Sequence, residues 1–157
     1  IMECSSLDKL LIVYGNGRYQ VVPPPDKLFM DNNLVRCEIY NRESSYTAVY
    51  VEKSIAYIKR FKIGGAIMNR DYFLGASDKS KLILLADGTP ESIYVKYKPA
   101  KNQRIHQQRF NPSETAEKSA KARGNRLSSK GIKYIDIAPG RWWDKADDGE
   151  IPDGVLL

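Results

Sequence analysis

The chain of 157 residues has little of what metal sites and catalytic sites need, since it contains two cysteines and one histidine. Cys4 and Cys37 are too few for a disulfide scaffold or a cysteine-rich zinc site, and we interpret them as reduced thiols. With His106 alone, the chain lacks the companion residues of a zinc deaminase, an HExxH protease or a histidine-based triad. It also lacks any run of about 18 apolar residues, so we predict no membrane span.

The sequence also lacks a convincing amphipathic helix. Residues 113–121 (SETAEKSAK) have a helix-forming composition but a thin apolar stripe, which favours a short helical turn or a solvated loop. Asp147, Asp148 and Glu150 could bind a hard cation, but their spacing does not match an EF-hand loop. We therefore favour a solvated acidic tail, and a metal-dependent hydrolase built on these acids is the least supported class.

What the chain does contain is a repeated pattern of strand, turn and strand. Three such pairs are present: residues 8–14 with 18–22, 46–51 with 54–61, and 81–86 with 92–98. The first pair encloses Gly15-Asn16-Gly17, which tolerates the positive φ of a hairpin turn. The pairs recur at intervals of about 35–40 residues, which is typical of propeller blades. A β-sandwich with regularly spaced strands would show the same pattern, and a last strand is predicted at residues 131–137.

Positive charge is concentrated in one part of the chain. The net charge is +6, yet residues 94–133 alone contain eleven lysines and arginines against two acidic residues. The end of the chain has the opposite sign, with Asp144, Asp147, Asp148, Glu150 and Asp153. A basic block favours a polyanionic partner, because phosphates are bound by Lys and Arg held on a rigid surface.

Eight basic residues are the candidates for phosphate contacts. They lie on the second strands of the pairs and in residues 120–126 (AKARGNR), which we call the basic loop. The candidates are Lys59, Arg60, Lys62, Lys96, Lys98, Lys121, Arg123 and Arg126. Gly124 would let the backbone approach a phosphate and offer it N–H donors. Each base taken singly could instead be a solvated side chain on an exposed strand.

The aromatic residues allow two roles. Tyr14, Tyr50, Tyr57 and Tyr94 lie inside apolar runs and are predicted to be core residues. By contrast, we expect three tyrosines to be partly exposed, where they could stack on bases as in single-strand binders: Tyr19, Tyr97 and Tyr134. One of Trp142 and Trp143 is predicted to pack against a blade.

Several segments form an ordered set of motifs. DKLLIV at 8–13 with GRY at 17–19 has the form of a repeat's opening hairpin. YTAVY at 46–50 with AYIKRF at 56–61 is similar to an "AVY…YVKRF" hairpin. KARGNRL at 121–127 is similar to a glycine- and arginine-rich turn before a strand, and GRW at 140–142 to the start of a further repeat. The set covers most of the chain from Asp8 onward, and it resembles the C-terminal domain of the A subunit of bacterial type IIA topoisomerases.

The resemblance implies an all-β fold, a β-pinwheel in which hairpin-built blades form a propeller-like ring. It implies a domain of the A subunit of topoisomerase IV that is not catalytic by itself. Such a domain would bind and bend duplex DNA independently of sequence and present the transported segment to the catalytic core. The eight basic residues would contact DNA phosphates.

The same resemblance sets expectations for cofactors and partners. No cofactor or metal is expected in this piece, because ATP and magnesium act elsewhere in the holoenzyme. The partners would be duplex DNA, the B subunit, and the remainder of the A subunit, in the bacterial cytoplasm with the nucleoid. The alternative function is a propeller-like protein-interaction module whose basic face meets an acidic protein.

The match to the family is incomplete. The corresponding domain of DNA gyrase, the close relative, has a longer glycine-rich basic box, whereas only residues 123–126 match it here, which favours topoisomerase IV. At this repeat length, residues 1–157 hold about three blade-like repeats. We therefore expect an excised fragment or an incomplete ring, with residues 141–157 as the acidic start of a further repeat or a tail.

Overall fold

A computed structural model describes residues 9–23, 33–76 and 78–144. This part of the chain contains twelve β-strands, one 3-10 turn (Pro112–Glu114) and no α-helix. The strands are β1 (Leu10–Tyr14), β2 (Arg18–Val22), β3 (Leu34–Ile39), β4 (Ser45–Glu52), β5 (Ile55–Lys62), β6 (Tyr72–Phe73), β7 (Lys81–Asp87), β8 (Ile93–Tyr97), β9 (Gln107–Phe110), β10 (Glu117–Ser119), β11 (Asn125–Ser128) and β12 (Ile132–Asp136). Cys4 and the predicted acidic tail beyond Asp144 lie outside the described residues.

The strands form three sheets. The first sheet has the order β3-β1-β2-β6, the second β10-β5-β4-β7 with β11 also on β5, and the third β12-β8-β9. All pairings are antiparallel except that of β10 with β5. None of the three sheets closes into a barrel, and the arrangement is the all-β, pinwheel-like incomplete ring that was predicted.

Two of the three predicted hairpins are confirmed. In the β1–β2 turn, Gly17 has φ +82° and its N–H donates to the carbonyl of Tyr14 at 2.9 Å. In the β4–β5 turn, Lys53 and Ser54 both have positive φ, 52° and 66°. That combination is the two-residue type I′ turn, whose twist matches that of the flanking strands.

The third predicted hairpin is wrong, because β7 and β8 belong to different sheets. β7 pairs with β4, whereas β8 pairs with β9 and β12. After β7 the chain stays attached to β4: the Gly88 N–H donates to the Ser45 carbonyl at 2.8 Å, and the Thr47 hydroxyl donates to the Gly88 carbonyl at 2.7 Å. Pro90 then ends the run without a donor for further pairing, so the next strand starts in another sheet.

The second sheet is the centre of the fold, because both of its faces are buried. Alternate residues of β4 and β5 face opposite ways, as the pleat requires. One face packs on the first sheet in a first core cluster that includes Leu11, Val13, Tyr19, Val21, Tyr46, Tyr50, Tyr57 and Phe61. The other face packs on the third sheet in a second core cluster of Val49, Ala56, Ile58, Ile93, Val95 and Tyr97. Among these side chains, each valine, leucine, isoleucine or phenylalanine stabilises the fold by roughly 1.5–3 kcal/mol when fully buried.

The tyrosines divide differently from the prediction. Tyr50 and Tyr57 are core residues as expected, whereas Tyr14 and Tyr94 are only half-buried. Tyr19 and Tyr97 are also buried, with 2% and 3% of their surface exposed. Of the three tyrosines that were expected to be exposed, Tyr134 is exposed, with 43% of its surface accessible. Trp143 is buried against Tyr94, with ring centroids 4.9 Å apart, which confirms the predicted packing of one tryptophan.

Residues 113–121 contain more regular structure than a turn or loop. Asn111 caps the 3-10 turn, its side-chain oxygen accepting from the Ser113 N–H at 3.1 Å, and Pro112 is the first residue of the turn. β10 follows as a three-residue strand. A strand this short depends on the backbone of its partner β5, which is why composition did not indicate it.

Candidate nucleic-acid interface

The basic loop lies along one edge of β5. β10 runs parallel to the end of β5, with Ser119 opposite Lys62, and β11 returns antiparallel beside its middle, with Asn125 opposite Ile58. The two short strands therefore share a single edge, and the loop between them is the point where the chain reverses. The loop is held against a rigid central sheet, which suits cations that must stay in place.

Lys59 is one of the eight candidates, and it is fully buried, at 0% exposed. Its ammonium donates to the carbonyl of Leu74 at 3.1 Å and to the carbonyl of Ala120. Burial, together with the nearby charge of Lys118, lowers the pKa of Lys59 to about 8. The prediction of a phosphate contact is wrong for this residue, because no part of the side chain reaches the surface.

The reason for this burial is visible in the strand pattern. β5 alternates, so Lys59 shares a face with Tyr57 and Phe61, both in the first core cluster. The lysine therefore stands at a core position of a regular strand. In a strand every second residue faces the same side, so the position of Lys59 two residues after Tyr57 indicates a buried side chain. The positive charge of Lys59 had suggested the opposite, an exposed phosphate contact.

Gly124 also has a structural role that differs from the predicted one. Its N–H donates to the hydroxyl of Tyr50 at 3.0 Å, so this donor is used within the fold rather than offered to a phosphate. A Cβ added at this position would lie 2.9 Å from the Ile58 carbonyl oxygen and 3.0 Å from the Tyr50 hydroxyl. The glycine is required because the loop passes very close to the central sheet.

Arg123 projects from the same loop and is held in place although it is exposed. Its guanidinium donates to the Tyr57 hydroxyl at 2.7 Å and lies 5.0 Å from the centre of that ring. The hydrogen bond to Tyr57 raises the pKa of Arg123. Arg126 on β11 is exposed and lies opposite Tyr57 in the strand register. Two surface cations thus flank one core tyrosine.

Lys118 fastens the base of the loop. Its ammonium donates to the carbonyl of Arg123 at 3.1 Å and to the Asn125 side-chain oxygen at 2.6 Å. Together with the contacts of Lys59 and Gly124, these bonds fix the loop at three points. A cation held this way loses little side-chain and loop entropy when it binds a ligand.

A groove of about 660 Å³, the first groove, continues from the loop between the first and second sheets. Its basic residues are Arg42, Lys62, Lys118 and Lys121, and its acidic residues are Glu43 and Glu117. The structure therefore brings the candidates Lys62 and Lys121 together. Lys121 is exposed, with its ammonium 5.1 Å from the centre of the Tyr72 ring.

The remaining three candidates lie apart from this surface or are partly engaged in the fold. The half-buried Arg60 guanidinium donates to the Thr115 carbonyl at 2.6 Å and to the Thr89 hydroxyl at 3.2 Å. Lys96 in the third sheet donates to the Trp142 carbonyl at 2.9 Å. Lys98 follows β8 and is exposed. The eight predicted bases are thus not one continuous stripe.

Comparison with known families decides what kind of domain this is. The chain matches the family "Topoisomerase C-terminal domain, Bacteroidota" over residues 3–139. The chain belongs to this family. Searches among curated proteins and solved structures found no significant match. As a topoisomerase C-terminal domain, it is a non-catalytic domain associated with a DNA topoisomerase.

The charges of this topoisomerase C-terminal domain are unevenly neutralised. Arg18 is ion-paired with Asp71, and Arg36 with Glu38 and Asp87. None of the five exposed candidates forms an ion pair with a carboxylate in residues 9–23, 33–76 and 78–144; these are Lys62, Lys98, Lys121, Arg123 and Arg126. Unpaired surface cations are the ones that gain most from a polyanion.

Two further findings concern the described part of the topoisomerase C-terminal domain. It contains no helix that is both long and apolar enough to cross a membrane. In the same residues, no three His, Cys, Asp or Glu side chains come together as a group that could hold a metal ion.

Proposed function

We propose that this topoisomerase C-terminal domain binds duplex DNA through its phosphates, independently of sequence. The observation that carries the proposal is the set of unpaired cations fixed on the β5 edge and in the first groove: Lys62, Lys121, Arg123 and Arg126. Lysine and arginine held on a rigid surface displace condensed counterions from DNA, and this release drives affinity without reading bases. Lys118 acts with them by holding the loop.

We further propose that the parent enzyme is topoisomerase IV and that the domain is part of its A subunit. In this role the domain bends the duplex and presents the transported segment to the catalytic core, where ATP and magnesium act. The partners are the B subunit together with the remainder of the A subunit, in the bacterial cytoplasm with the nucleoid. Bending a duplex costs elastic energy, which additional phosphate contacts offset.

The binding proposal is tested by fluorescence anisotropy with a labelled duplex of about 40 base pairs across a salt series. We expect saturable binding, a steep fall of log affinity with log salt, and equal affinity for duplexes of different sequence. Polyglutamate and unlabelled duplex serve as competitors. If polyglutamate displaces the label as well as unlabelled duplex does, a basic face for an acidic protein is the better account.

Bending is tested separately, by energy transfer between dyes at the two ends of a duplex of about 20 base pairs, whose ends are roughly 70 Å apart. A duplex of this length is far shorter than the roughly 150 base pairs of the DNA persistence length, so it is stiff on its own. The proposal requires energy transfer to rise when the domain binds. If binding is saturable but energy transfer does not rise, the proposal of phosphate binding stands and the proposal of bending is wrong.

The assignment to topoisomerase IV is tested in the holoenzyme, reconstituted from the full-length A and B subunits, which should decatenate linked circles without introducing negative supercoils. The same holoenzyme tests the role of the domain. With Arg123→Ala and Arg126→Ala in the former, decatenation of linked circles should slow while ATP hydrolysis without DNA is unchanged. Lys101→Ala with Arg104→Ala is the matched control, because both residues are exposed, line neither groove and carry the same charge. If decatenation slowed equally in both variants, the effect would come from the lost net charge and not from the position of Arg123 and Arg126.

A further inference from the structure

A second groove, of about 720 Å³, lies between the second and third sheets, and the proposed duplex-binding surface does not use it. It is bounded by β7, the β4–β5 turn and residues 129–135, which include most of β12. Both β7 and β12 are the last strands of their sheets, so the groove runs between two sheet edges. Aliphatic side chains also line the groove, with Val51, Leu82 and Ile135 among them.

The groove has charge of one sign. Its described lining includes Lys81, Lys98, Lys130 and Lys133 and no acidic residue. Lys81, Lys98 and Lys133 are exposed. The half-buried Lys130 has its ammonium 5.2 Å from the centre of the Tyr97 ring. The groove therefore combines aliphatic side chains with ammonium groups that form no ion pair in the described part of the chain.

Tyr134 is the exposed aromatic residue of the same groove. Its ring stacks on Trp142, with centroids 5.5 Å apart and planes 15° from parallel. Trp142 in turn meets the buried Trp143 edge-on at 6.2 Å. This chain of contacts fixes an exposed aromatic ring at the side of a basic groove.

We propose that the second groove binds unpaired, single-stranded DNA, with a base stacked at Tyr134 and phosphates held by Lys81, Lys98 and Lys133. A positive groove lined with aromatic side chains is the usual single-strand platform, because every base offers a π-face. Intact duplex keeps its bases within its own stack and cannot place one on this ring. The Lys133 ammonium, 5.5 Å from the ring centre, can move aside at the cost of an exposed cation–π contact.

This inference goes beyond the proposed duplex binding and does not depend on it. The lysines of the second groove are not among the cations of the β5 edge or of the first groove. Single-strand binding would let the domain hold regions where the duplex has opened. An acidic peptide would also meet the lysines, but it would not need the stacked tyrosine, and this difference defines the test.

The probe is a labelled oligo(dT) of about 15 nucleotides, measured by anisotropy with the whole chain. Tyr134→Ala should weaken binding about 5- to 100-fold, as loss of base stacking does, whereas Tyr134→Phe should retain most of the affinity. Lys98→Ala with Lys133→Ala should lower the salt slope by about 0.7 for each lost contact. Thermal unfolding of each variant shows whether the fold is intact.

The duplex-binding variant provides the control that separates the two proposals. Arg123→Ala with Arg126→Ala should leave oligo(dT) binding unchanged, and Tyr134→Ala should leave duplex binding unchanged. Equal affinity of an abasic oligomer of the same length and of oligo(dT) would overturn the proposal, because no base would then be stacked. Displacement of bound oligo(dT) by polyglutamate at an equal concentration of negative charge would also overturn the proposal, because the ligand would then be an acidic protein.

Discussion

The ammonium of Lys59 donates a hydrogen bond to the carbonyl of Ala120, the residue that opens the basic loop, from a fully buried position on β5. The same ammonium binds the carbonyl of Leu74 at 3.1 Å, beyond the end of β6. One lysine thus joins the central strand, the basic loop and the first sheet. Its contribution to the proposed DNA-binding surface is to position the loop, and its own charge stays inside the protein.

The buried ammonium makes stability depend on pH. The pKa of Lys59 is about 8 in the folded protein, against about 10.5 when unfolded, so between these values the unfolded chain binds more protons. The unfolding free energy of the wild type should therefore rise with pH relative to that of Lys59→Met, by about 2 kcal/mol between about pH 7.5 and 9.5. The neutral amine keeps two N–H donors for the two carbonyls, so alkaline pH leaves the loop attached.

Urea denaturation of both proteins at several pH values measures this difference. Burial raises the pKa of Tyr19 and Tyr50, which acts in the opposite direction near pH 10, but both proteins share these tyrosines and the effect cancels in the difference. A difference that does not change with pH would mean that the pKa of Lys59 is not lowered in the folded protein, so that the lysine is equally charged in both states over this range.

Tyr57 and Arg123 allow positioning to be separated from charge. Tyr57→Phe removes the hydroxyl that holds the guanidinium but keeps every positive charge. We expect it to weaken duplex binding about 2- to 10-fold, the entropic cost of ordering one long side chain, with an unchanged salt slope. Arg123→Ala should also lower the slope, by about 0.9. If both variants changed the slope equally, the hydroxyl would be acting through more than the orientation of Arg123.

Gly124→Ala tests how closely the basic loop must approach the central sheet. The added Cβ would be 2.9 Å from the Ile58 carbonyl oxygen, so the loop must move or the sheet must yield. We expect a loss of about 1–3 kcal/mol in unfolding free energy and weaker duplex binding. Gly64→Ala is the control, since nothing lies within 4 Å of its Cβ and it should change stability by less than about 0.5 kcal/mol. Similar losses in both variants would contradict the role of close contact.

The β4–β5 turn contains residues that fit its backbone poorly. Lys53 and Ser54 have φ of 52° and 66°, where asparagine and glycine are favoured. Lys53→Asn with Ser54→Gly should raise the unfolding free energy by about 1 kcal/mol, because two left-handed residues lose their steric cost. Lys53→Val should instead lower the unfolding free energy, since a residue with a branched Cβ is the least compatible with positive φ. Chemical denaturation checks both, and a gain from valine would contradict the turn type.

Much of the fold could be predicted from local pattern. The strand-turn-strand pattern of residues 46–51 and 54–61 indicated β4 and β5, and the turn residues of 15–17 indicated the first hairpin. The partner of β7 could not be predicted, because the choice between β4 and β8 depends on tertiary hydrogen bonds at Ser45 and Thr47. The short strands β6, β10 and β11 depend in the same way on neighbours distant in sequence.

By itself the sequence determined that the protein is built of strands, where most of those strands lie, and that positive charge is concentrated late in the chain. These are properties of neighbouring residues, set by pleat alternation, turn preferences and composition. Only the tertiary structure decided which cations are at the surface. It buried Lys59, fixed Arg123 on Tyr57, and collected Lys81, Lys98 and Lys133 in a groove with Tyr134. The reason is that exposure depends on which sheet faces pack together, and packing joins residues far apart along the chain.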